Sequence, residues 1–302
     1  YYVNSDQKTN DSTSLIRLPA PHVEKISQSI IPLSNNTLKT MSATGGDLHP
    51  HIPNIHTIST TGLVAEIPLN SEVSPQGAMN YSVPIELPLG NNGFKPNLSL
   101  NYNSYNGEGN AGVGWSLNGF SAITRTNSSP FFDGRSHPLN LSNDGPFALD
   151  GIRLVRETSS TTEAQFRTYQ GYTRVIAYLD GDKIKYFKVS YPNGHVGIFG
   201  YENGTGNNLI FPLTKLYDNY KNEISFGYLY DKNVYYLYKI IYGASQANYY
   251  NHAEINIEYV SKMSTDFYLY GIKMENNRVI SKITIKEENS LKRTYDLKYN
   301  SY

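Results

Sequence analysis

Apolar and polar residues alternate along most of the chain after residue 60, and this period of two predicts β-strands. Apolar side chains occupy every second position in Tyr81–Pro88, and Leu98–Asn103 alternates again after an Asn-Asn-Gly turn signal. Pro84 and Pro88 lack the backbone N–H that a sheet requires. We therefore expect the first of these strands to pair on one side only or to lie at a sheet edge.

The second half of the chain repeats this pattern, with turn signals about every 8–12 residues, as is typical of all-β domains. Asp180-Gly181 and Asn193-Gly194 tolerate the positive φ of tight hairpins. The predicted strands are Arg174–Leu179, Lys183–Ser190, His195–Tyr201, Ile224–Tyr230, Tyr235–Tyr242, Glu254–Val260, Tyr268–Met274, Val279–Lys286 and Arg293–Tyr299. No long window predicts an amphipathic helix. The fold class is therefore all-β, with extended, mostly antiparallel sheets.

The amino-terminal region differs from the rest of the chain. Residues 1–60 are rich in Ser, Thr, Asn, Pro and His and hold no regular period, which predicts an irregular leader that is extended or disordered. Residues 61–302 form the β-rich domain. His49, His51 and His56 are interpreted as part of a polar linker, because no carboxylate lies at ligand spacing. Since the chain starts Tyr-Tyr-Val, without an initiator Met, we expect a fragment or processed product whose targeting signal is not visible in this sequence.

Composition narrows the class of protein further. The 302 residues include 27 Tyr and 32 Asn, a strand former and a turn former, whereas charged residues make up only 17%. Lys+Arg and Asp+Glu number 26 each, so there is no electrostatic case for nucleic acid or an anionic membrane as a partner. Cysteine is absent, which excludes disulfides and thiolate metal sites. No apolar run reaches about 18 residues, so we expect no membrane insertion by this chain.

Tyrosine is concentrated in the second half, with 22 of the 27 between residues 169 and 302. On a sheet, a tyrosine buries its ring while its hydroxyl reaches water or a carbonyl group. We interpret most of these residues as packing. The alternative is an aromatic sugar-binding platform, with the cluster at 235–250 as its first candidate.

Three patterns that carry chemistry in other proteins are weak here. Residues 107–112 form a literal G-x-G-x-x-G, but no helical period follows to hold a pyrophosphate. The Gly114–Gly119 segment resembles a nucleophile elbow that is one residue too long. The carboxylates Asp144, Asp150, Glu287 and Glu288 lie in turn-like polar segments. We predict no catalytic, cofactor-binding or metal-binding residue, and no cofactor.

Two long motifs, in order, resemble the signature of a known family. The first spans Tyr81–Ser104 and contains Pro84, Gly90, Gly93, Pro96 and Tyr102. The second spans Gly109–Arg125 and contains Gly109, Gly112, Gly114, Trp115, Ser116, Leu117, Gly119 and Arg125. This sequence resembles the amino-terminal domain shared by the plasmid virulence protein SpvB and the B subunits of Tc insecticidal toxins.

Shorter motifs extend the resemblance to about residues 62–302. Phe147–Val155 contains Asp150, Gly151 and Arg153. Leu213–Ile224 resembles a YD repeat, the Tyr-Asp hairpin unit of RHS proteins, with Tyr217 and Asp218 in the named positions. Lys221 stands where that repeat usually has glycine.

The resemblance implies an architectural role. In Tc B subunits such a domain is the first part of a hollow RHS-type β-shell around a toxic polypeptide, and a β-propeller that docks on the pore-forming A subunit follows it. In the virulence protein the domain precedes a mono-ADP-ribosyltransferase. The family assigns no catalytic residue to this region. We therefore expect a non-enzymatic structural module of a secreted toxin or virulence protein, with a secreted adhesin or carbohydrate-binding module as the alternative.

The resemblance also implies partners. These are the downstream RHS and propeller regions of the same polypeptide, a Tc A-type pore subunit, a C-type subunit and an encapsulated toxin. Within the second motif, we hypothesise that Trp115 is a buried anchor beneath the glycine-rich loop.

Overall fold

The computed structural model describes residues 2–7, 12–17, 70–134, 136, 141, 145–203, 208–243 and 253–299. The rest of the predicted leader, with His49, His51 and His56, lies outside the described residues, as do Tyr249 and Tyr250 of the tyrosine cluster. Within the leader, two strands are described, β1 (Tyr2–Gln7) and β2 (Ser12–Arg17).

Almost all of the regular secondary structure in the described part of the chain is β-strand, which confirms the predicted all-β class. The first group is β3 (Asn70–Val73), β4 (Met79–Pro84), β5 (Ser99–Asn103), β6 (Glu108–Gly109), β7 (Gly112–Val113), β8 (Trp115–Asn118) and β9 (Ala122–Arg125). The second is β10 (Phe147–Leu149), β11 (Ile152–Ser159), β12 (Glu163–Thr168), β13 (Arg174–Asp180), β14 (Lys183–Ser190), β15 (Val196–Gly200) and β16 (Ile210–Tyr217). The third is β17 (Glu223–Asp231), β18 (Val234–Tyr242), β19 (Ala253–Leu269), β20 (Ile272–Glu287) and β21 (Ser290–Lys298).

The helices described are a single 3-10 turn, Asn91–Gly93, and the four-residue α1 (Pro130–Asp133). In the described ranges, neither helix approaches the length or apolarity needed to cross a membrane. Every strand pair in these ranges is antiparallel, as the sequence predicts.

Eight of the strands close into a barrel. Strands β9 to β15 pair in sequence, and β16 then pairs with both β15 and β9, which completes the ring. The interior is filled by aromatic side chains from alternate strands. Phe147 of β10 and Phe187 of β14 are both fully buried, with ring centroids 5.2 Å apart, and Phe211 of β16 packs on Phe187 at 4.9 Å. The barrel is therefore a packed core and not a pore.

Strand β16 is shared between the barrel and the rest of the large sheet. Its first residues pair with β9, and its last residues pair with β15 on one side and β17 on the other. The register with β15 shifts at Thr214, an extra residue that forms a β-bulge. The hydroxyl of Thr214 lies 2.8 Å from the Gly200 carbonyl oxygen and 3.1 Å from that of Ile198, and donates to them. This side chain supplies hydrogen bonds where the bulge interrupts the ladder.

Beyond β16 the sheet continues as an open meander through β17–β21, with β1 and β2 added outside β21. Its tight turns use pairs of residues with positive φ, such as Lys232-Asn233 and Tyr270-Gly271. The prediction of a strand over Tyr268–Met274 is wrong, because the two-residue turn at Tyr270-Gly271 divides it between β19 and β20.

A separate four-stranded sheet has the order β3-β4-β5-β8. Strand β4 pairs with β3 on one side and with β5 on the other, so the expectation that it would pair on one side only or lie at a sheet edge is wrong. The proline is tolerated because Pro84, the last residue of β4, pairs only with Ser99 of β5, and its missing N–H costs no ladder bond. The predicted continuation to Pro88 is not a strand. On the inner face, Tyr81, Tyr102 and Trp115 lie side by side across three strands.

The barrel core gives a first prediction. Replacing Phe187 by Ala removes a fully buried ring that contacts two other phenylalanines, so we expect the free energy of unfolding to fall by about 3–5 kcal/mol. Urea denaturation measures this change. The control is Tyr172→Ala on the surface, where the side chain is 90% exposed and the expected change is within about 0.5 kcal/mol. Equal losses in the two variants would contradict a packed barrel interior.

Candidate functional site

The signature motifs meet at a groove between the small sheet, the barrel and the open sheet. This junction groove has a volume of about 470 Å³. A separate groove of about 550 Å³ lies on the polar face of the small sheet. The junction groove is lined mainly by Gly93, Phe94, Pro96, Gly119, Phe120, Asp150, Tyr191, His195, Leu213, Leu216 and Phe226. Four residues predicted from the motifs, Gly93, Pro96, Gly119 and Asp150, are therefore brought together here.

Gly119 allows the two long motifs to touch. Its φ is +115°, and a Cβ at this position would lie 1.9 Å from the backbone oxygen of Asn97. Any side chain would therefore force the end of the second motif away from the first. Gly90 is similarly crowded, since its Cβ would meet the backbone oxygen of Phe94 at 2.0 Å.

Asp150 accepts hydrogen bonds from the beginning of β9, the first strand of the barrel. Its carboxylate accepts hydrogen bonds from the Ala122 backbone N–H at 2.9 Å and from the Ser121 hydroxyl at 2.5 Å. Asp150 and Gly151, with φ of 48° and 83°, form the two-residue turn between β10 and β11. The Asp-Gly pair thus shapes the turn and holds the strand beside it.

Tyr191 adds a phenol to this cluster, close to Asp150 and Ser121. Burial of the ring, together with the negative charge of Asp150, raises the pKa of Tyr191 to about 12. The phenol is therefore neutral at physiological pH.

The segment from residue 85 to residue 90 leaves its strand but keeps its backbone groups satisfied. The Tyr242 hydroxyl donates to the Pro88 carbonyl oxygen at 2.9 Å. The Tyr295 hydroxyl accepts from the Glu86 backbone N–H at 3.1 Å, and the Glu86 carboxylate pairs with Arg293. Two tyrosines of the open sheet therefore hold the first motif.

The glycine-rich stretch folds over Trp115 as a two-stranded hairpin, β6–β7. Trp115 is 1% exposed, and its ring packs on Tyr102 at 5.2 Å. A Cβ on Gly109 would lie 2.0 Å from the Trp115 backbone oxygen, and one on Gly114 would lie 2.5 Å from the Tyr102 ring. This geometry is what the anchor hypothesis describes. Nε1 of Trp115 has no hydrogen-bond partner among the described residues.

The long hairpin β19–β20 clamps this loop from outside. Lys262 forms an ion pair with Glu108 at 2.8 Å, and the Ile280 backbone N–H donates to the Asn110 carbonyl oxygen at 2.9 Å. At its tip, the Tyr270 hydroxyl donates to the backbone oxygen of Arg125 at 3.0 Å. The second motif is therefore held at both its ends by one hairpin.

The two motif arginines stabilise loops at the barrel. Arg125 is buried over the Phe147 ring at 4.8 Å and donates to the Leu141 carbonyl oxygen at 3.1 Å, while burial lowers the pKa of its guanidinium to about 10. Arg153 forms an ion pair with Asp133 at 2.5 Å and donates to the Asn127 carbonyl oxygen at 3.0 Å. Each arginine connects a strand to a loop.

The Tyr-Asp hairpin is organised by Asp218, directly after Tyr217 at the end of β16. The Asp218 carboxylate accepts from the backbone N–H groups of Tyr220 and Asn222, both at 2.8 Å. Lys221 has a φ of +63°, which explains why glycine is usual at its position in the repeat.

Four further predicted residues are simply structural. Pro84 ends β4, Gly112 lies in β7 with a φ of 109°, Leu117 is buried in β8, and Ser116 lies on the opposite face of β8.

The geometry gives no support to the weak catalytic patterns. The G-x-G-x-x-G stretch is the β6–β7 hairpin, and β8 follows it instead of a helix. The Ser116 hydroxyl donates to Asn118 at 3.2 Å, and the Ser121 hydroxyl donates to Asp150. Within the described ranges, no group of three His, Asp or Glu residues could hold a metal ion.

Two of the four tyrosines of β18 are packing residues. Tyr236 and Tyr242 are buried, and the Tyr236 hydroxyl accepts from the Asn277 backbone N–H at 3.3 Å. Tyr238 is 47% exposed, and half-buried Tyr235 packs on Tyr230 with ring centroids 4.7 Å apart. The described tyrosines of this cluster are therefore divided between the core and the surface.

Several site residues carry no local sequence signal. Tyr191, His195, Tyr242 and Tyr295 reach the motifs from distant strands, and Phe94 packs edge-on against His195 at 5.3 Å. For the three tyrosines, the one signal in the sequence is the excess of tyrosine in the second half of the chain.

Comparison with known proteins shows which proteins this chain resembles. Residues 73–203 match the family model SpvB, described as Salmonella virulence plasmid 65kDa B protein. This stretch is just under half of the chain and holds every predicted motif residue except Tyr217 and Asp218. The resemblance inferred from the motifs is thereby confirmed, and it supports a toxin-related module.

Solved structures with the same fold come from two kinds of protein. The crystal structure of TcdB2-TccC3 has 16% identity and a TM-score of 0.61 over 81% of this chain and 16% of that one. The amino-terminal domain of effector protein SpvB from Salmonella typhimurium strain LT2 has 16% identity and a TM-score of 0.54, covering 67% and 86%. The pore of the Photorhabdus luminescens Tc holotoxin has 16% identity and a TM-score of 0.58, covering 79% and 15%. These likenesses establish the fold.

The chain spans about a sixth of the TcdB2-TccC3 chain that it matches. None of the curated proteins matches it.

Trp115 gives a second prediction. Since it is the single tryptophan, its fluorescence should be blue-shifted in the folded protein and should shift to the red on unfolding. Trp115→Ala should lower the free energy of unfolding by about 3–5 kcal/mol, and Trp115→Phe by less, because Nε1 makes no hydrogen bond that is lost. A solvated emission maximum together with an unchanged melting temperature in Trp115→Ala would refute the anchor role.

Tyr191 gives a prediction about pH. Its folded-state pKa of about 12 exceeds the ordinary value of 10.0, so its stabilising contribution is complete below pH 10 and is lost as pH rises towards 12. In that window the slope of unfolding free energy against pH should be less negative in Tyr191→Phe, by at most about 1.4 kcal/mol per pH unit. Denaturant titrations at several pH values measure the slope. The surface control, Tyr172→Phe, should retain the wild-type slope, and an identical slope in Tyr191→Phe would contradict the assignment.

Proposed function

We propose that this chain is a non-enzymatic structural module of a secreted RHS/Tc-type toxin or virulence protein, and that it forms part of a β-sheet shell around a toxic polypeptide. The observation that carries the proposal is that the residues of the family motifs have structural roles. Their residues fill the core, close turns and hold loops. The charged ones, Arg125, Asp150, Arg153 and Asp218, make structural hydrogen bonds or ion pairs.

The architecture supports the proposal that this chain forms part of the wall of a β-sheet shell. A closed barrel joined to a long antiparallel sheet gives a rigid surface many strands wide. Its exposed positions carry many tyrosine, threonine and asparagine side chains, which remain compatible with water on one face and with a loosely folded polypeptide on the other.

The proposed partners follow from the same comparison. We propose that downstream RHS and propeller regions of the same polypeptide extend this wall. A C-type subunit, an encapsulated toxin and an A-type pore subunit are the further partners. The support is that two of the solved structures sharing the fold are of TcdB2-TccC3 and a Tc holotoxin pore.

The alternative, a secreted adhesin or carbohydrate-binding module that uses surface tyrosines, is less well supported. Tyr236 and Tyr242 of the candidate cluster are buried and hydrogen-bonded to the backbone. Exposed Tyr238 and half-buried Tyr235, whose ring packs on that of Tyr230, are the described residues of the cluster on which that alternative depends.

Limited proteolysis of the complete polypeptide that carries this chain, together with its C-type subunit, tests the shell. We expect the enclosed toxin segment to resist protease in the wild type and in Tyr172→Ala, and to be cleaved rapidly in Phe187→Ala, which weakens the barrel. Cleavage of that segment at the same rate in all three proteins would contradict enclosure.

The absence of catalysis is tested on the 302-residue chain itself. Incubated with labelled NAD and a panel of acceptor proteins, it should transfer no ADP-ribose, and it should release no product from esterase or glycosidase substrates. A turnover that Asp150→Asn abolishes without loss of fold would overturn the non-enzymatic assignment.

A further inference from the structure

The small sheet carries a second concave surface, separate from the junction groove. Its inner face packs on the core through Leu100, Trp115 and Leu117, while its outer face forms a groove of about 550 Å³. This volume falls in the range of small-ligand sites, about 300–1,000 Å³. Most sites of that size are mainly apolar, and this one is not.

Short polar side chains cover the outer face in register. Asn80 of β4 lies opposite Asn103 of β5, and Asn101 of β5 lies between Ser82 and Ser116 on its two neighbours. Asn118 occupies the next row of β8. Because cross-strand partners lie side by side, these residues form one continuous polar surface.

The amides are held in place but retain free donors. Ser82 donates to Oδ1 of Asn101 at 2.8 Å, and Asn103 donates through Nδ2 to Oδ1 of Asn80 at 2.8 Å. The Nδ2 groups of Asn80 and Asn101 donate to no other described residue. Each side chain therefore has a fixed orientation and still offers hydrogen-bonding capacity towards the groove.

The charge of the groove limits its ligand. Among the described residues that line it, Glu72 at the rim is the only charged one, and neither Lys nor Arg is present. Phosphate, sulfate and carboxylate groups would find no cation, and an apolar ligand would leave the amides without partners. A neutral ligand with many hydroxyl groups suits these amides, because each hydroxyl both donates and accepts.

An exposed aromatic ring follows the end of β5, next to Asn103 and just outside the residues that line the groove. Tyr105 is 68% exposed, yet its hydroxyl donates to the Gln76 carbonyl oxygen at 2.7 Å and its backbone N–H donates to Oδ1 of Asn103 at 2.8 Å. The ring is thus fixed although it is open to solvent. A fixed aromatic face beside hydrogen-bonding amides is the combination on which a pyranose ring stacks.

We infer that the outer face of this sheet binds a neutral oligosaccharide, through Asn80, Asn101 and Asn118 and with Tyr105 as the stacking residue. Four strands at about 4.8 Å spacing span about 14 Å, the length of a short oligosaccharide. This binding site is independent of the shell function and uses none of the tyrosines at 235–250.

A glycan array probed with the 302-residue chain, followed by calorimetric titration with the neutral oligosaccharide that binds best, tests this inference. Asn101→Leu and Tyr105→Ala should each weaken binding at least tenfold, whereas Tyr105→Phe should retain most of it. The matched controls are Asn256→Ala and Tyr238→Ala, on other strands, and these should bind as the wild type does. Melting temperatures verify that each variant is folded.

Three results would overturn the inference. One is the absence of any neutral oligosaccharide that binds. Another is unchanged affinity in folded Asn101→Leu and Tyr105→Ala. The third is loss of binding in Tyr238→Ala alone, which would place the glycan on the tyrosine cluster instead.

Discussion

The structure depends on tyrosine hydroxyls that satisfy backbone groups far away in sequence. Every buried N–H and C=O needs a partner, and a segment that leaves its sheet loses the ladder that supplies one. Residues 85–90 are such a segment, and Tyr242 and Tyr295 provide the missing partners at sequence separations of 154 and 209 residues. The same side chains bury their rings in the core, so one residue type both fills the core and connects the loops to it.

This double use explains the composition. A sheet with few long aliphatic runs must obtain its packing from rings, and phenylalanine alone would leave the irregular segments without hydrogen bonds. In the barrel interior, where the backbone groups are paired in the ladder, phenylalanine does fill the space. Beside residues 85–90, where the ladder is interrupted, Tyr242 and Tyr295 supply both a buried ring and a hydrogen bond.

The sequence predicts local features well and long-range ones poorly. Period two and the pairs Asp180-Gly181 and Asn193-Gly194 predict most of the hairpins of the second half, because both signals are local. The turn at Tyr270-Gly271 is missed, since apolar alternation continues through it. Ring closure between β9 and β16 and the approach of Tyr191 to Asp150 join residues far apart in the chain, and no periodicity marks them. The family resemblance identifies the motif glycines, but only the folded structure shows which backbone atoms crowd them.

The barrel is closed only when strand β16 is present, because β16 pairs with both β9 and β15. The family match ends at residue 203, whereas the ring is completed by residues 210–217. A fragment ending at residue 203 would contain seven of the eight barrel strands, so the edges of β9 and β15 would be unpaired. The Phe147 and Phe187 rings would then be open to water on one side. Strand β16 and the Tyr-Asp hairpin that follows it therefore do two things at once: the strand completes the barrel, and the hairpin begins the sheet that continues beyond it.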